Sequence, residues 1–251
     1  NSGTIEISGS DSIALLGANG TKIKNTGIID ISSSGVGIYG TNLLSTSAPS
    51  YGNKKIEIEN DGLITLNSIN ERAYGIYAGN LDTAIPITDS AIILGGNSII
   101  DMSNSINGVG VFAQRSVLTV NGIINTGDGG IGIYGTNVTP GTTPAYGTKD
   151  VSITHSGSIE STGINKGYGI VADNDGSGSS SLTINSGSLI DLSSVTNAAV
   201  GDLVGIYAKN TVVNSSGDIT IGKNGIVMYA EDSNVTISGG TINITGDNVL
   251  G

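Results

Sequence analysis

Short stretches of alternating apolar and polar residues recur in the same order along the whole chain. Each repeating unit holds three such runs, which we name run 1, run 2 and run 3 in chain order. Run 3 carries the phrase Gly-Ile-Tyr-(Gly/Ala)-x-Asn at Gly37–Asn42, Gly75–Asn80, Gly132–Asn137 and Gly205–Asn210. Looser copies are expected to begin at Gly110, Gly169 and Gly225. Period-two alternation in segments rich in Ile, Val and Thr predicts β-strands.

Run 1 and run 2 precede the phrase and are joined by turns rich in Asn, Ser and Gly. Run 1 is predicted at Lys55–Ile58, Val117–Val120, Val151–Ile153, Leu182–Ile184 and Val235–Ile237. Run 2 is predicted at Thr4–Ile7, Ile28–Ile31, Leu63–Leu66, Leu189–Leu192, Asp218–Ile221 and Thr241–Ile244. This pattern predicts an all-β fold, a single-stranded, right-handed parallel β-helix of about nine coils in which equivalent runs pair.

Insertions explain the unequal spacing of the copies, which is 20 to 22 residues in some units and 35 to 38 in others. The extra residues follow run 3 in every case, at Leu43–Lys55, Leu81–Ser90, Val138–Asp150 and Asp175–Ser181. All 4 prolines fall in the first three insertions, as expected because proline is excluded from paired strands. We therefore expect loops along one border of a rigid rod, where recognition commonly resides.

Two of these insertions share the sequence Pro-x-Tyr-Gly-x-Lys. Their matching side chains are Tyr51 and Lys54 in the first, and Tyr146 and Lys149 in the second. A loop sequence that returns on the same border of the rod predicts a binding role for these four residues.

Run 3 also predicts an outward row of aromatic residues. By the period-two rule, the residue before the phrase glycine, the Ile after it and the small residue three positions after it face inward, and the aromatic residue faces outward. The outward row comprises Tyr39, Tyr77, Phe112, Tyr134 and Tyr207 and is interrupted at Val171 and Val227. Tyr39, Tyr77, Tyr134 and Tyr207 are further candidate binding residues that would stack on sugar rings. The alternative is that the rings pack on one another and on the inserted loops.

An asparagine row accompanies the aromatic row, at Asn42, Asn80, Asn137, Asn174 and Asn210. Asparagine tolerates left-handed turn conformations, and stacked amides hydrogen-bond along a rod. We interpret this row as structural.

Composition excludes several classes of partner. A net charge of −11 argues against nucleic acid and anionic membranes. No stretch of 18 apolar residues is present, so this segment is not expected to insert into a membrane. The absence of cysteine excludes disulfides and thiol chemistry and suits export of an unfolded chain. We expect a monomer.

Catalytic and metal-binding candidates are few. His155 is the sole histidine, so no His-based triad can form, and it is expected to be a surface residue in the turn after run 1. The segment Asp173–Ser177 is similar to a calcium loop, but Ile184 occupies the position where a Glu is required. Acidic residues recur at one polar position of run 2, which indicates a solvated outer face; they are Glu6, Asp30, Asp101, Glu160 and Asp191. We predict no catalytic residue, metal or cofactor.

The iterated Gly-Ile-Tyr-(Gly/Ala)-x-Asn strand, with Asn-x-Gly-x-Ile-x-Ile units such as Asn25–Ile31 and Asn60–Leu66, resembles the passenger repeats of the very large autotransporter adhesins of fusobacteria and related anaerobes. The resemblance covers essentially residues 1–251, read as one β-helical fragment of a longer passenger domain. It implies type V secretion to the cell surface, tethering to the outer membrane, and a role in virulence or biofilms.

Three functions stay open at this point. The first is an adhesin segment whose loops, with or without the Tyr row, bind a glycan or protein on a host cell or another bacterium. The second is a passive stalk that spaces a distal tip from the membrane. The third is a polysaccharide-active enzyme, which the absence of clustered carboxylates disfavours.

Overall fold

The computed structural model of the protein describes residues 1–18, 20–41, 55–69, 73–79, 90–137, 150–176, 179–248 and 250. All regular structure in these residues is β-strand, and the strands form three sheets with parallel pairing. Sheets 1, 2 and 3 are numbered after the run that forms each of them. The chain passes through sheet 2, sheet 3 and sheet 1 in turn and then begins the next coil, which confirms the predicted parallel β-helix.

The strands are numbered in chain order, and each sheet takes every third strand. Sheet 1 contains β3 (Lys22–Asn25), β6 (Glu57–Asn60), β9 (Ala91–Leu94), β12 (Val117–Val120), β15 (Ser152–His155), β18 (Ser180–Ile184), β21 (Thr211–Ser215) and β24 (Asn234–Ile237). Sheet 2 contains β1 (Thr4–Ile7), β4 (Ile28–Ile31), β7 (Leu63–Leu66), β10 (Ile99–Met102), β13 (Ile123–Thr126), β16 (Ser158–Ser161), β19 (Leu189–Leu192), β22 (Asp218–Ile221) and β25 (Ile242–Ile244). Sheet 3 contains β2 (Ser12–Ala18), β5 (Gly35–Thr41), β8 (Tyr74–Gly79), β11 (Val109–Gln114), β14 (Gly130–Thr136), β17 (Gly167–Asp173), β20 (Leu203–Lys209) and β23 (Ile226–Glu231).

Equivalent strands pair in register, so like residues stack along the rod. In sheet 2, Ile29 pairs with Ile5 on one side and Ile64 on the other. The register also corrects one predicted strand. The run predicted at Lys55–Ile58 is β6, which begins two residues later, at Glu57. In this position Ile58 pairs with Ile92 of the next coil.

Aliphatic side chains from the three sheets fill the inside of the rod. Ile64 of sheet 2, Ile76 of sheet 3 and Leu118 of sheet 1 are fully buried, and their equivalents in neighbouring coils stack above and below them. Full burial of one such side chain contributes about 1.5–3 kcal/mol. Each coil therefore adds its own share of one continuous core.

The phrase glycine marks a bend in every strand of sheet 3 that carries it. Val36 pairs with Tyr74 and Ile38 with Ile76, while Gly37 and Ile38 are both buried, so alternation is interrupted at the glycine. A Cβ on Gly37 would lie 2.6 Å from the carbonyl oxygen of Gly75 and equally close to Ile64 Cγ2. The predicted inward position of the residue before the glycine is wrong for the partly exposed residues Val36, Tyr74, Ile131 and Tyr168, because the bend turns them outward, whereas Val109 and Val204 at the same position are buried.

Register also corrects the last copy of the phrase. Tyr207 pairs with Tyr229, and the carbonyl of Val227 lies where a Cβ on Gly205 would meet it. In the last copy, Val227 therefore occupies the position of the phrase glycine, and the copy does not begin at Gly225. The aromatic row continues through Tyr229, so the predicted interruption at Val227 is wrong.

Along the chain, the insertions fall between a strand of sheet 3 and the next strand of sheet 1, as predicted. The described chain stops after Thr41 at the end of β5 and resumes at Lys55 before β6; the same connection carries the gaps after β8 and β14. The prolines and the binding candidates Tyr51, Lys54, Tyr146 and Lys149 lie outside the described residues.

A polar pair replaces aliphatic residues at the inward end of the first sheet 1 strands. Asn25 Nδ2 donates to Asn60 Oδ1 over 2.7 Å, and Asn60 Nδ2 donates to Ser98 Oγ over 2.5 Å. All three residues are buried. These bonds join three successive coils inside the rod, where an unpaired amide is costly.

His155 occupies the same inward row and is not the surface turn residue that the sequence predicts. It is the last residue of β15, is 0% exposed, and pairs with Val120 and Ile184 of the adjacent coils. Its Nε2 lies 3.3 Å from the carbonyl oxygen of Leu189. Burial, partly offset by this contact, lowers the pKa of His155 to about 4, so the ring is neutral at pH 7.

Candidate functional site

The outer side of sheet 3 carries two rows of apolar residues, which together we call the aromatic face. One row holds the phrase aromatics and their equivalents, namely Leu16, Tyr39, Tyr77, Phe112, Tyr134, Val171, Tyr207 and Tyr229. The other holds the residue before each bend, namely Ile13, Val36, Tyr74, Val109, Ile131, Tyr168, Val204 and Ile226. No charged residue occupies either row of the described strands.

Aromatic rings on neighbouring coils of this face stack on one another. Tyr77 is sandwiched, with its ring centroid 4.9 Å from that of Tyr39 and 4.6 Å from that of Phe112, and with interplanar angles of 5° and 13°. Tyr74 meets Tyr77 edge-on at 5.3 Å. Tyr207 and Tyr229 form a separate stack at 5.5 Å. The alternative that these rings pack on one another is thus confirmed, whereas their packing on the inserted loops concerns residues outside the described ranges.

This stacking decides what the face offers to a partner. Because Tyr77 has a neighbouring ring on both faces, only ring edges and hydroxyl groups are presented outward there. Burial, with the nearby Tyr39 and Tyr74, raises the pKa of Tyr77. Burial also raises the pKa of Tyr207, assisted by the nearby carboxylates Asp173 and Glu231. The hydroxyl groups are therefore neutral donors and acceptors at pH 7.

The predicted outward residues Tyr39, Tyr77, Tyr134 and Tyr207 all lie on this face. The sequence analysis missed Tyr74, Tyr168 and Tyr229 as members of it. Tyr229 could have been found by aligning the last copy on its tyrosine, and the other two require knowledge of the bend.

The corner between sheet 3 and sheet 1 is tied by amide hydrogen bonds between coils. The Asn137 backbone N–H donates to Asn174 Oδ1 over 3.0 Å, and Asn210 Nδ2 donates to the Asn174 carbonyl oxygen over 2.8 Å. Asn210 adopts a left-handed φ of 49°. The structural interpretation of the asparagine row is confirmed for these three residues, whereas Asn42 and Asn80 lie outside the described residues.

The calcium-like segment takes part in the same network. Asp175 Oδ1 accepts a hydrogen bond from Asn137 Nδ2, and the Asp175 N–H donates to Asn137 Oδ1, each over 2.9 Å. Among the described residues, no group of three or more His, Cys, Asp or Glu side chains could hold a metal ion. The bonds at Asp175 thus have a structural purpose.

The acidic residues of run 2 form a line and not a cluster. Glu6 pairs with Asp30 and Glu160 pairs with Asp191, each on the outer side of sheet 2. Successive residues of the row lie about 4.8 Å apart along the rod. Catalytic carboxylates of glycoside hydrolases flank the scissile bond from two sides, whereas the acidic residues of this row all lie on one side of sheet 2.

Comparison with known proteins gives no match to this chain, whether with family models, with curated proteins or with solved structures. Within the described ranges, no helix is long and apolar enough to cross a membrane.

Proposed function

We propose that this chain is a segment of a bacterial cell-surface adhesin that attaches the cell to a host cell or another bacterium. In this proposal the rod is extracellular, is tethered to the outer membrane by other parts of the protein, and contacts a surface glycan or protein. The aromatic face and the insertions at its border form the contact.

The observation that carries the proposal is the absence of charge from the two rows of the aromatic face, although the next outward position of three of these strands holds Asp173, Lys209 and Glu231. The protein has a net charge of −11, yet the described rows of sheet 3 hold only aliphatic and aromatic side chains. Contiguous apolar patches on a soluble protein mark interaction sites, and aromatic residues are enriched in interfaces. The face also ends at the corner from which the insertions leave, so both elements can meet one partner.

A charge placed on this face tests the proposal. Val171 on β17 and Thr183 on β18 are outward, partly exposed residues of consecutive strands. We expect Val171→Lys to reduce binding of the purified chain to epithelial cells and to partner bacteria by about tenfold, which corresponds to about 1.4 kcal/mol. Thr183→Lys adds the same charge on sheet 1 and is expected to bind as the unmodified chain does.

Loop deletion separates the two parts of the contact. Removal of residues 43–54 or 139–149 with a short Gly-Ser bridge is expected to weaken cell binding if the insertions contribute. Circular dichroism shows whether the rod survives. Equal binding by all variants would remove both the face and the loops from the proposal.

Mutual stacking favours a second candidate, a passive stalk. Rings that stack on one another stabilise the rod without any partner, as is the case for Tyr39, Tyr77 and Phe112. A stalk segment would bind neither cells nor glycans at any concentration tested, and Val171→Lys would then change stability alone.

A further inference from the structure

A notch opens at the corner between sheet 3 and sheet 1 in the C-terminal half of the rod. The connection from β17 to β18 is long, whereas β20 passes to β21 through the single residue Asn210. The next corner is also tight, since Asp232 has the same left-handed φ of 49° as Asn210. Beside these two tight corners lies a depression of about 260 Å³, which is lined on one side by Gly176, Ser179 and Ser180.

The base of the notch is held rigidly. Thr211 is buried, and its Oγ1 accepts a hydrogen bond from Asn174 Nδ2 and donates to the Lys209 carbonyl oxygen, each over 2.8 Å. Asn210 Nδ2 donates to the Asn174 carbonyl oxygen. Because these residues are already ordered, the entropic cost of ligand binding is lower.

The rim offers polar groups that the protein itself leaves unused. Asp232 and Asn234 are exposed and line the notch, and neither side chain makes a hydrogen bond or ion pair within the described part of the chain. Ser179 and Ser180 line the opposite side, but Ser180 is buried and its Oγ already accepts a hydrogen bond from the Val151 N–H over 3.2 Å. Val212, 43% exposed, adds an apolar patch between them. The notch thus combines one carboxylate, amides and hydroxyls with a small apolar surface.

This combination selects a class of ligand. The Asp232 carboxylate and the net charge of −11 disfavour anions. Calcium takes six to eight oxygen ligands and usually more than one carboxylate, and the lining supplies one. No aromatic ring lines the notch to stack a nucleobase. A neutral hexose has hydroxyl groups that can contact the rim and C–H groups that can contact Val212. A hexose is smaller than the drug-sized ligands that occupy pockets of roughly 300–1,000 Å³, so its size suits this smaller notch.

We propose that this notch binds one neutral hexose unit of a glycan. The inference rests on the proposed function, since a glycan on another cell would bring the sugar to the rod. Asp232 and Asn234 contact its hydroxyl groups, and Val212 contacts its apolar side.

Amide NMR spectra of the uniformly ¹⁵N-labelled chain, titrated with free D-galactose, D-glucose and D-mannose, test this site. We expect at least one hexose to shift the backbone signals of Asn210, Thr211 and Asn234 saturably. Asp232→Asn and Asn234→Ala are expected to raise the Kd about fivefold, the effect of one lost hydrogen bond. Asn214→Ala is the matched control, because Asn214 is equally exposed on β21 but lies outside the notch.

The outcomes are separable from those of the cell-binding assay. Absence of saturable shifts with all three sugars, shifts confined to other surfaces, or equal Kd values for Asn234→Ala and Asn214→Ala would overturn the hexose site. The spectra also report whether each variant is folded. Loss of the hexose site would leave the Val171→Lys comparison valid, and failure of Val171→Lys to affect adhesion would leave the NMR result unaffected.

Discussion

Replacing His155 by leucine should change how the stability of the rod depends on pH. His155 is enclosed between Val120 and Ile184 of neighbouring coils and contacts one carbonyl oxygen, that of Leu189. Burial lowers its pKa from the ordinary value of 6.5 to about 4. The fold therefore favours the neutral ring, whereas the unfolded chain accepts a proton as the pH falls below about 6.5.

The magnitude follows from these two pKa values. The stabilisation is fully present above pH 6.5 and is lost as the pH falls towards 4. One pKa unit is worth about 1.36 kcal/mol, so the histidine should cost the folded state about 3 kcal/mol over this interval. A leucine, like Leu94 in the same row, does not titrate and should remove this loss.

Urea unfolding followed by circular dichroism and tyrosine fluorescence at several pH values between 7.5 and 4 measures the effect. Carboxylates titrate in both proteins, so the difference in unfolding free energy between His155→Leu and the unmodified chain isolates the histidine. We expect this difference to grow by about 3 kcal/mol in favour of the variant towards pH 4. The outward variant Thr154→Val should retain the original pH dependence. A difference that stays constant with pH would refute the reasoning.

Three further predictions concern the stability of the rod near pH 7, measured by thermal or urea unfolding. Tyr77→Ala removes the middle ring of a stack and should cost about 2–4 kcal/mol, more than Tyr229→Ala, because Tyr229 is 46% exposed and stacks on one ring only; equal losses would contradict a contribution from the second neighbouring ring. Asn60→Ala removes the acceptor of the Asn25 Nδ2 bond and the donor to the buried Ser98 Oγ and should cost about 2–3 kcal/mol, whereas an unchanged midpoint would show that water replaces the amide. Gly37→Ala forces a Cβ to within 2.6 Å of a carbonyl oxygen and should cost at least about 2 kcal/mol, while Gly3→Ala, with nothing within 4 Å, should be neutral.

The coil architecture was predictable because each local pattern is repeated and agrees with its neighbours. Ile, Val and Thr alternate in every unit, and the described strands contain no proline. The outward position of Tyr39 and Tyr77 follows from the same alternation. A single short apolar run cannot distinguish a strand from a helix, but the same run repeated in every unit can.

The failures have identifiable physical causes. The bend at Gly37 depends on the carbonyl oxygen of the next coil, a contact between residues far apart in sequence, so the period-two rule misplaced Tyr74. The turn position predicted for His155 is wrong because the predicted run ends at Ile153, whereas alignment of this run with Val117–Val120 and Leu182–Ile184 extends it to His155 and places the ring inside. The notch at Asn210 depends on unequal corners in successive coils and has no signature within a single repeat.

Because like residues stack in register, the outer rows form a lattice with a fixed step of about 4.8 Å. A partner that binds one coil meets a similar row of side chains on the next coil. It can bind several coils at once only if its own contact groups repeat at the same spacing. An α-helix rises 5.4 Å per turn and falls half a step out of phase after about four steps. Multivalent binding along such a rod therefore requires a partner whose repeat distance equals the spacing of stacked β-strands.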